Sequence, residues 1–177
     1  MGTTVISVDT LPKLARSTVE EYISNNNNVL PDDKCFEEYK NQKAGTFVTL
    51  YKNGQLRGCI GTISPVQENL IEETIMNAIS ACTRDPRFSP VKKEELKDIT
   101  YSVSVLMPPE QIDSTDKLDP SKYGVIVTSG RKRGLLLPRL DGINTVQEQM
   151  FHVMAKAGIR QDETILLYRF ESIEHKE

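Results

Sequence analysis

The alternation of hydrophobic and polar residues over positions 46–62 is typical of a β-hairpin. Thr46–Lys52 is rich in Thr, Val, Phe and Tyr, which predicts a strand. Asn53-Gly54 follows and favours a two-residue type I′ turn, so Leu56–Thr62 is the return strand. A turn of that length fixes the register of the two strands. The predicted cross-strand pairs are Lys52 with Gln55, Leu50 with Arg57, Val48 with Cys59 and Thr46 with Gly61.

The return strand contains two glycines, Gly58 and Gly61, which weaken a strand unless something requires them. A bulge, a close backbone neighbour or a ligand lying against the main chain would each require them. Two alternatives follow: the floor of a small pocket, or an ordinary buried strand with a bulge and a buried cysteine. With a period of two, one face carries Arg57, Cys59 and Gly61, and the other carries Leu56, Gly58 and Ile60.

Helical spacing of apolar residues predicts three longer helices. The first is capped by Asp9 or Thr10 and ends in the polar run 25–28. The second begins at the capping box Ser64–Gln67, ends near Arg84, and directs four polar side chains to water: Glu68, Glu72, Glu73 and Asn77. The third begins at Asn144 or Thr145 and ends with Gly158 as its C′ residue.

Hairpins dominate the rest of the chain, which favours an α+β fold with antiparallel or mixed sheets. The further predicted strands are Ile99–Met107, Val125–Thr128, Gly134–Leu137 and Thr164–Phe170, and a polar tail follows the last of them. No segment is long enough to act as a linker between independent domains. A chain of 177 residues therefore suits one domain or two intimately packed lobes.

The segment LRGCIGT at Leu56–Thr62, preceded by GTFVTLYKNGQ, resembles the signature of the AMMECR domain family. The resemblance implies a single AMMECR-like domain over residues 1–177, with a core at about 9–171 and two interleaved α/β lobes that sequence alone does not separate. It also implies a cleft between the lobes. Further blocks follow in the family's order: Ala78–Ala81, Thr83–Phe88, Val103–Leu106, Gly134–Pro138 and Lys156–Gly158.

The resemblance also implies partners for the chain. Prokaryotic members of the family are encoded beside, or fused to, Memo-like proteins, and also beside radical SAM proteins, as in the AmmeMemoRadiSam system. In one alternative, the chain is an enzyme or enzyme subunit that binds a small anionic metabolite in a cleft built around Leu56–Gly61. In the other, it is a non-catalytic adaptor that binds a partner chain, such as the Memo-like protein, in the same cleft.

Cys59 is the candidate nucleophile. A reactive cysteine needs a pKa lowered by a cation, a protonated histidine or a helix N-terminus, and Arg57 lies two residues away on the same predicted face. The alternatives are inert packing and the lining of a pocket, since a cysteine is most often a small buried hydrophobe. His152 follows Phe151, which is predicted to face inward, and a lone histidine is more often structural than a ligand.

Three arginines are candidates for anion binding, because a guanidinium pairs bidentately with a carboxylate or phosphate. Asp85 lies between two of them, so the alternative is a salt-bridged turn that locks a helix to a strand. Because LRGCIG and RDPRF are both blocks of the resemblance, we expect them to meet at one cleft. The candidate binding residues are Arg57, Gly58, Gly61, Thr62, Arg84, Asp85, Arg87 and His152.

Composition narrows the classes of function. The chain has 22 Lys and Arg residues against 25 Asp and Glu, and this net charge of −3 argues against a general nucleic-acid or membrane binder. No apolar run approaches the roughly 20 residues of a membrane span, and the N-terminus lacks a signal-peptide pattern. The widely spaced Cys35, Cys59 and Cys82 fit reduced thiols in a cytoplasm. No metal-ligand or phosphate-loop motif occurs, so neither a metal nor a cofactor is expected.

Overall fold

A computed structural model describes residues 10–28 and 36–177. The chain divides into two compact units: the first comprises the described residues up to Val105 together with Glu174–Glu177, and the second is Leu106–Ile173. The described residues form two antiparallel four-stranded sheets and three longer helices, which confirms the α+β class. The predicted cap at Asp9 and the cysteine Cys35 lie outside the described residues.

The first unit is a sheet with two helices against one face. Its strands lie in the order β2-β1-β3-β8. The core contains fully buried side chains of the sheet, such as Val48 and Val103, packed with Leu11 and Ala78 of the helices. The elements are α1 (Thr10–Asn25), β1 (Thr46–Lys52), β2 (Gln55–Gly61), α2 (Leu70–Thr83), β3 (Ile99–Leu106) and β8 (Ser172–Lys176), with short 3₁₀ helices at Glu37–Tyr39 and Lys93–Asp98.

Strand β8 replaces the predicted polar tail. Two backbone hydrogen bonds frame its pairing with β3: Met107 N donates to Glu171 O at 2.9 Å, and Glu177 N donates to Tyr101 O at 3.3 Å. Its side chains are mostly exposed. Because an edge strand is held by backbone hydrogen bonds, it needs little apolar sequence, and the hydrophobic pattern did not predict it.

Helix α2 begins at Leu70, later than the predicted start at Ser64. Asn69 is its N-cap and accepts a hydrogen bond from Glu72 N at 3.0 Å. The residues before it form a loop because the carboxylate of Glu73 accepts hydrogen bonds from Val66 N and Gln67 N, both at 2.8 Å. Glu73 was predicted to face water, as was Asn77, and both predictions are wrong: their exposed fractions are 0% and 4%.

The β1–β2 hairpin contains a bulge at Arg57. Lys52 pairs with Gln55 as predicted, but Tyr51 pairs with Leu56 and Leu50 with Gly58, which leaves Arg57 as the extra residue. The predicted pairs of Leu50 with Arg57, Val48 with Cys59 and Thr46 with Gly61 are therefore wrong. The observed partners of Cys59 and Gly61 are Thr49 and Phe47.

The bulge also changes which face of the sheet Arg57 occupies. Cys59 lies on the face of Thr49, whose hydroxyl donates a hydrogen bond to the cysteine sulfur at 3.2 Å. Arg57 instead shares the carboxylate of Glu95 with Lys52, which lies on the opposite, Leu50 face of β1. The prediction that Arg57 and Cys59 share a face is wrong, because one extra residue reverses the alternation of side chains.

The second unit contains a sheet with strand order β4-β7-β5-β6 and one helix. Thr145 caps the helix in a capping box with Glu148, and Gly158 ends it with a φ of 63°, which confirms both predicted ends. Phe151 was predicted to face inward but is 65% exposed. The elements are β4 (Glu110–Ile112), β5 (Gly124–Ser129), β6 (Lys132–Leu136), α3 (Val146–Ala157) and β7 (Leu166–Phe170).

No helix in the described ranges is long and apolar enough to cross a lipid bilayer.

Candidate functional site

The bulge aims the Arg57 side chain at Glu95, which belongs to the 3₁₀ helix Lys93–Asp98. Arg57 Nε and Nη2 donate to the two carboxylate oxygens at 3.0 and 2.9 Å, and Nη2 also reaches Pro90 O at 3.4 Å. Lys52 Nζ donates to the same carboxylate at 2.9 Å. These hydrogen bonds, those from Arg57 above all, lower the pKa of Glu95 to about 2, so the carboxylate is ionised at neutral pH.

An open depression of about 440 Å³ lies at this cluster. We call it the Arg57 depression, and it is lined by Lys52, Arg57, Phe88, Ser89, Lys92 and Glu95. Three of these side chains are cationic and one is anionic, which leaves a local charge of +2. Arg57 and Glu95 are mostly buried, with side chains 13% and 16% exposed, so the depression has a fixed ion pair at its wall.

A second ion pair fastens the turn after α2 to strand β2. The Asp85 carboxylate accepts hydrogen bonds from Cys59 N at 2.9 Å and from Arg87 N at 3.0 Å. Arg87 Nε and Nη2 donate to the same carboxylate at 3.0 and 2.7 Å, and Nη2 also reaches Cys59 O at 3.4 Å. Hydrogen bonds from Arg87 are the main reason that the pKa of Asp85 is lowered to about 2. The segments LRGCIG and RDPRF are therefore in contact, as predicted.

The two glycines of β2 allow close approach and do not form an open pocket floor. A Cβ on Gly58 would lie 2.3 Å from the backbone oxygen of Ala81 in α2. A Cβ on Gly61 would lie 2.3 Å from the backbone oxygen of Thr46 and 2.4 Å from the Phe47 ring. The space beside each glycine is already filled, which corrects the pocket-floor alternative and supports a bulge with a close backbone neighbour.

Thr62 belongs to a buried polar network under the end of the hairpin. Its hydroxyl donates to Glu73 Oε1 at 2.5 Å, and Asn77 Nδ2 donates to Thr62 Oγ1 at 3.2 Å. Asn77 Nδ2 also donates to Thr46 Oγ1 at 2.8 Å. This network holds the loop after β2 and satisfies a fully buried carboxylate with hydrogen bonds, so it supports the fold around the candidate residues.

A family model described as AMMECR1 matches residues 12–175. The chain belongs to the AMMECR1 family. The resemblance found in LRGCIGT and the later blocks is thereby confirmed. The match does not assign an activity or a ligand, so the roles of individual residues depend on the geometry of the site.

Two relatives and one solved structure extend this assignment. A Clostridium acetobutylicum protein is 49% identical over 171 residues, covering 96% of this chain but 36% of that protein, so the chain spans about a third of its length. A Thermotoga maritima protein is 48% identical over 160 residues, covering 89% of this chain and 92% of that protein. The crystal structure of an uncharacterized protein from Pyrococcus horikoshii matches with a TM-score of 0.85 and 35% identity, covering 93% and 88% of the two chains.

The remaining predicted residues of this AMMECR1 chain differ in their surroundings. Arg84 is exposed, and its side chain forms no ion pair with the residues that the structure describes, so Asp85 pairs with Arg87 alone of its two neighbours. His152 belongs to the second unit, where it is exposed and contacts Phe151 edge to face at 5.4 Å. Its participation in a site with Arg57 stays a prediction.

The thiols of the described cysteines occupy different environments. Cys82 is 2% exposed, and burial raises the pKa of its thiol to about 12, so it is suited to packing. Cys59 is half-buried, and its backbone N–H and carbonyl are both used by the Asp85–Arg87 pair. A nucleophilic role for Cys59 stays a prediction.

Sequence reasoning missed five residues that line the Arg57 depression: Lys52, Phe88, Ser89, Lys92 and Glu95. Phe88 lies in the RDPRF block, and its ring centroid is 5.9 Å from the Arg57 guanidinium and 5.5 Å from that of Arg87. Its place in that family block was the available signal. No sequence signal pointed to Glu95, because it lies 38 residues after Arg57 and its pairing with that residue depends on tertiary structure. No cluster of His, Cys, Asp and Glu suited to a metal occurs within residues 10–28 and 36–177.

Proposed function

We propose that this AMMECR1-family protein binds a small anionic ligand in the Arg57 depression. The observation that carries the proposal is the state of the Arg57 guanidinium. Glu95 accepts hydrogen bonds from Nε and Nη2, which fixes the plane of the group, while Nη1 donates to no residue in the described part of the chain. Arg57 therefore supplies oriented N–H donors at the wall of an open depression.

The two lysines add further donors. Lys52 Nζ uses one of its three N–H groups on Glu95, and Lys92 Nζ forms no ion pair with the described residues. Lys92 is exposed, but its backbone N–H is tied to Glu95 Oε2 at 3.0 Å, so the base of its side chain has a fixed position. Both lysines line the same depression as Arg57. An anion bound there replaces water on three cationic groups at once.

The proposed ligand-binding role fits an enzyme or enzyme subunit that acts on a small anionic metabolite. Partnership with Memo-like and radical SAM proteins in the AmmeMemoRadiSam system rests on the family resemblance, and the proposed setting is the cytoplasm because the cysteines are few and widely spaced. Cys59 does not line the depression, and its thiol lies on the opposite, Thr49 face of the sheet, so its nucleophilic role stays a separate prediction. The contact between its backbone and the Asp85–Arg87 pair supports a fixed position for it.

A non-catalytic adaptor is the second candidate function, and the relatives supply one observation in its favour. The segment matching this chain covers 36% of the Clostridium acetobutylicum protein, so in that protein the domain is part of a longer chain. A domain joined to another polypeptide can act by binding it. In this alternative, a partner chain places an acidic side chain in the Arg57 depression.

Titration with inorganic phosphate tests the binding proposal. Lys92→Ala removes one cation from the depression, whereas Lys93→Ala removes the same charge from the adjacent position, which does not line it. Both side chains are exposed, so neither substitution is expected to disturb the fold. We expect Lys92→Ala to weaken phosphate binding by about fivefold and Lys93→Ala by less than about twofold.

The measurement is a ¹⁵N–¹H correlation spectrum recorded during the titration at low ionic strength, where exposed charges are screened least. The largest shifts are expected at the amides of Phe88, Ser89 and Glu95. Equal affinities for the two lysine variants, or shifts confined to other parts of the chain, would refute the proposed site.

A further inference from the structure

We infer that the ligand of the Arg57 depression is a phosphate monoester in its dianionic form. The inference rests on the proposed function and specifies the class of ligand for the same site. It follows from three features of the depression: its net charge, the number of separate donor groups, and the presence of an aromatic wall. The first two distinguish a phosphate monoester from a monocarboxylate, and the third distinguishes it from inorganic phosphate.

The charge of the depression matches a dianion. Lys52, Arg57 and Lys92 contribute three positive charges, and Glu95 contributes one negative charge. Glu95 accepts four hydrogen bonds, two from Arg57 and one each from Lys52 Nζ and Lys92 N, so the carboxylate is part of the wall and keeps its place. The remaining charge of +2 is neutralised by a dianion, whereas a monoanion leaves it half uncompensated.

The donors of the depression match the shape of a phosphate. Arg57 Nη1, Lys52 Nζ and Lys92 Nζ are three separate groups with N–H bonds not used by described residues. A phosphate monoester has three terminal oxygens in a tetrahedral arrangement, one for each group. A carboxylate has two oxygens in one plane and leaves one cationic group in water.

Phe88 provides a surface for the organic part of the ester. The ring is half-buried and lines the depression beside Ser89. Guanidinium groups lie near it, that of Arg57 at 5.9 Å and that of Arg87 at 5.5 Å from the ring centroid, and they hold the ring in place. A ligand with a carbon skeleton next to its phosphate therefore covers apolar surface that inorganic phosphate leaves exposed.

A matched pair of ligands tests the inference. Phenyl phosphate and benzoate carry the same ring, but at pH 8 the first is a dianion and the second a monoanion. We expect phenyl phosphate to bind the full chain about tenfold more tightly than benzoate, because each ligand charge interacts with the residual +2 of the site. In Lys92→Ala the ratio falls to about threefold, and in Lys93→Ala it is unchanged. Chemical-shift titrations of the ¹⁵N-labelled protein measure all six affinities.

Lowering the pH provides a second readout on the unmodified chain. The dianion of a phosphate monoester takes up one proton near pH 6 and becomes a monoanion, so its affinity is expected to fall about tenfold between pH 8 and pH 5, while that of benzoate stays constant. Within the depression, Glu95 stays ionised over this range because its pKa is about 2. Lys52, Arg57 and Lys92 are the other charged groups that line the depression.

The outcomes separate the two proposals. Equal affinities for phenyl phosphate and benzoate, both weakened by Lys92→Ala, would leave the anion site standing and overturn the preference for a dianion. Affinities that do not depend on Lys92 would overturn the site itself. Sedimentation with phosphatidylcholine vesicles, with and without phosphatidate, distinguishes the source of the ester: retention in the supernatant is expected, and pelleting with phosphatidate would contradict a small soluble ligand.

Discussion

Two carboxylates near strand β2, Asp85 and Glu95, use the same chemistry for different purposes. Each carboxylate accepts hydrogen bonds from Nε and Nη2 of one arginine, and each has a pKa lowered to about 2. The side chain of Asp85 is 2% exposed, and its carboxylate also accepts hydrogen bonds from the backbone N–H groups of Cys59 and Arg87. Glu95 instead lies beside an open depression with two lysines. An ion pair whose carboxylate is buried against backbone N–H groups holds structure, whereas one that lies beside an open depression with two lysines also orients a site.

The largest expected effect is that of Asp85→Ala on stability. The substitution leaves the Cys59 N–H and the Arg87 N–H without their acceptor and frees the Arg87 side chain from the turn. We expect the free energy of unfolding to fall by about 3 kcal/mol in urea denaturation. Asp98→Ala is the matched control, because Asp98 is exposed, and its loss should stay within about 0.5 kcal/mol. Similar losses in the two variants would contradict a structural role for Asp85.

Acid should weaken the fold through the same carboxylates. The pKa of Asp85 in the folded chain is about 2, below its value in an unfolded chain, so its stabilisation is present above pH 5 and is lost as the pH falls towards 2. The loss from Asp85 amounts to about 2 kcal/mol over that window. Asp85→Asn should therefore show an acid-dependent loss smaller than the unmodified chain by about this amount. Urea denaturation at a series of pH values measures it, and identical pH profiles would refute the prediction.

The smallest of the three effects is expected for Glu95→Ala. Its removal deprives Arg57 and Lys52 of a partner, but both lie beside an open depression where water replaces the lost hydrogen bonds. We expect a loss of about 1 kcal/mol in the free energy of unfolding. Glu94→Ala, at an exposed neighbouring position, should change stability by less than about 0.5 kcal/mol. A loss for Glu95→Ala as large as that for Asp85→Ala would remove the distinction between the two ion pairs.

Local signals predicted much of the fold. The Asn53-Gly54 turn and the helix cap predicted at Asn144 or Thr145 depend on residues close in sequence, and the structure has the turn and a cap at Thr145. The contact of LRGCIG with RDPRF was also predicted, although from the family resemblance and not from spacing. Each of these correct predictions rested on a signal within a few residues or on a block pattern associated with one fold.

The rest of the fold depended on contacts with residues outside these local motifs. No local pattern around Arg57 predicts a bulge. The bulge nevertheless places the Arg57 guanidinium on the face of the sheet opposite Cys59, where it contacts Glu95. The segment Ser64–Gln67 fits a capping box, but Glu73 binds its backbone and delays the helix to Leu70. In both cases hydrogen bonds to a carboxylate outside the local motif outweighed a local preference worth about 1 kcal/mol.

The backbone contact between Gly58 and Ala81 makes a stiff joint between a helix and a strand. Most joints between such elements are cushioned by side chains, which can rotate to absorb a small displacement. Here the Gly58 main chain lies against the Ala81 backbone, so no side chain between α2 and β2 can rotate to absorb a displacement. We therefore expect Arg57, the residue before Gly58, to move together with α2 when the helix is displaced.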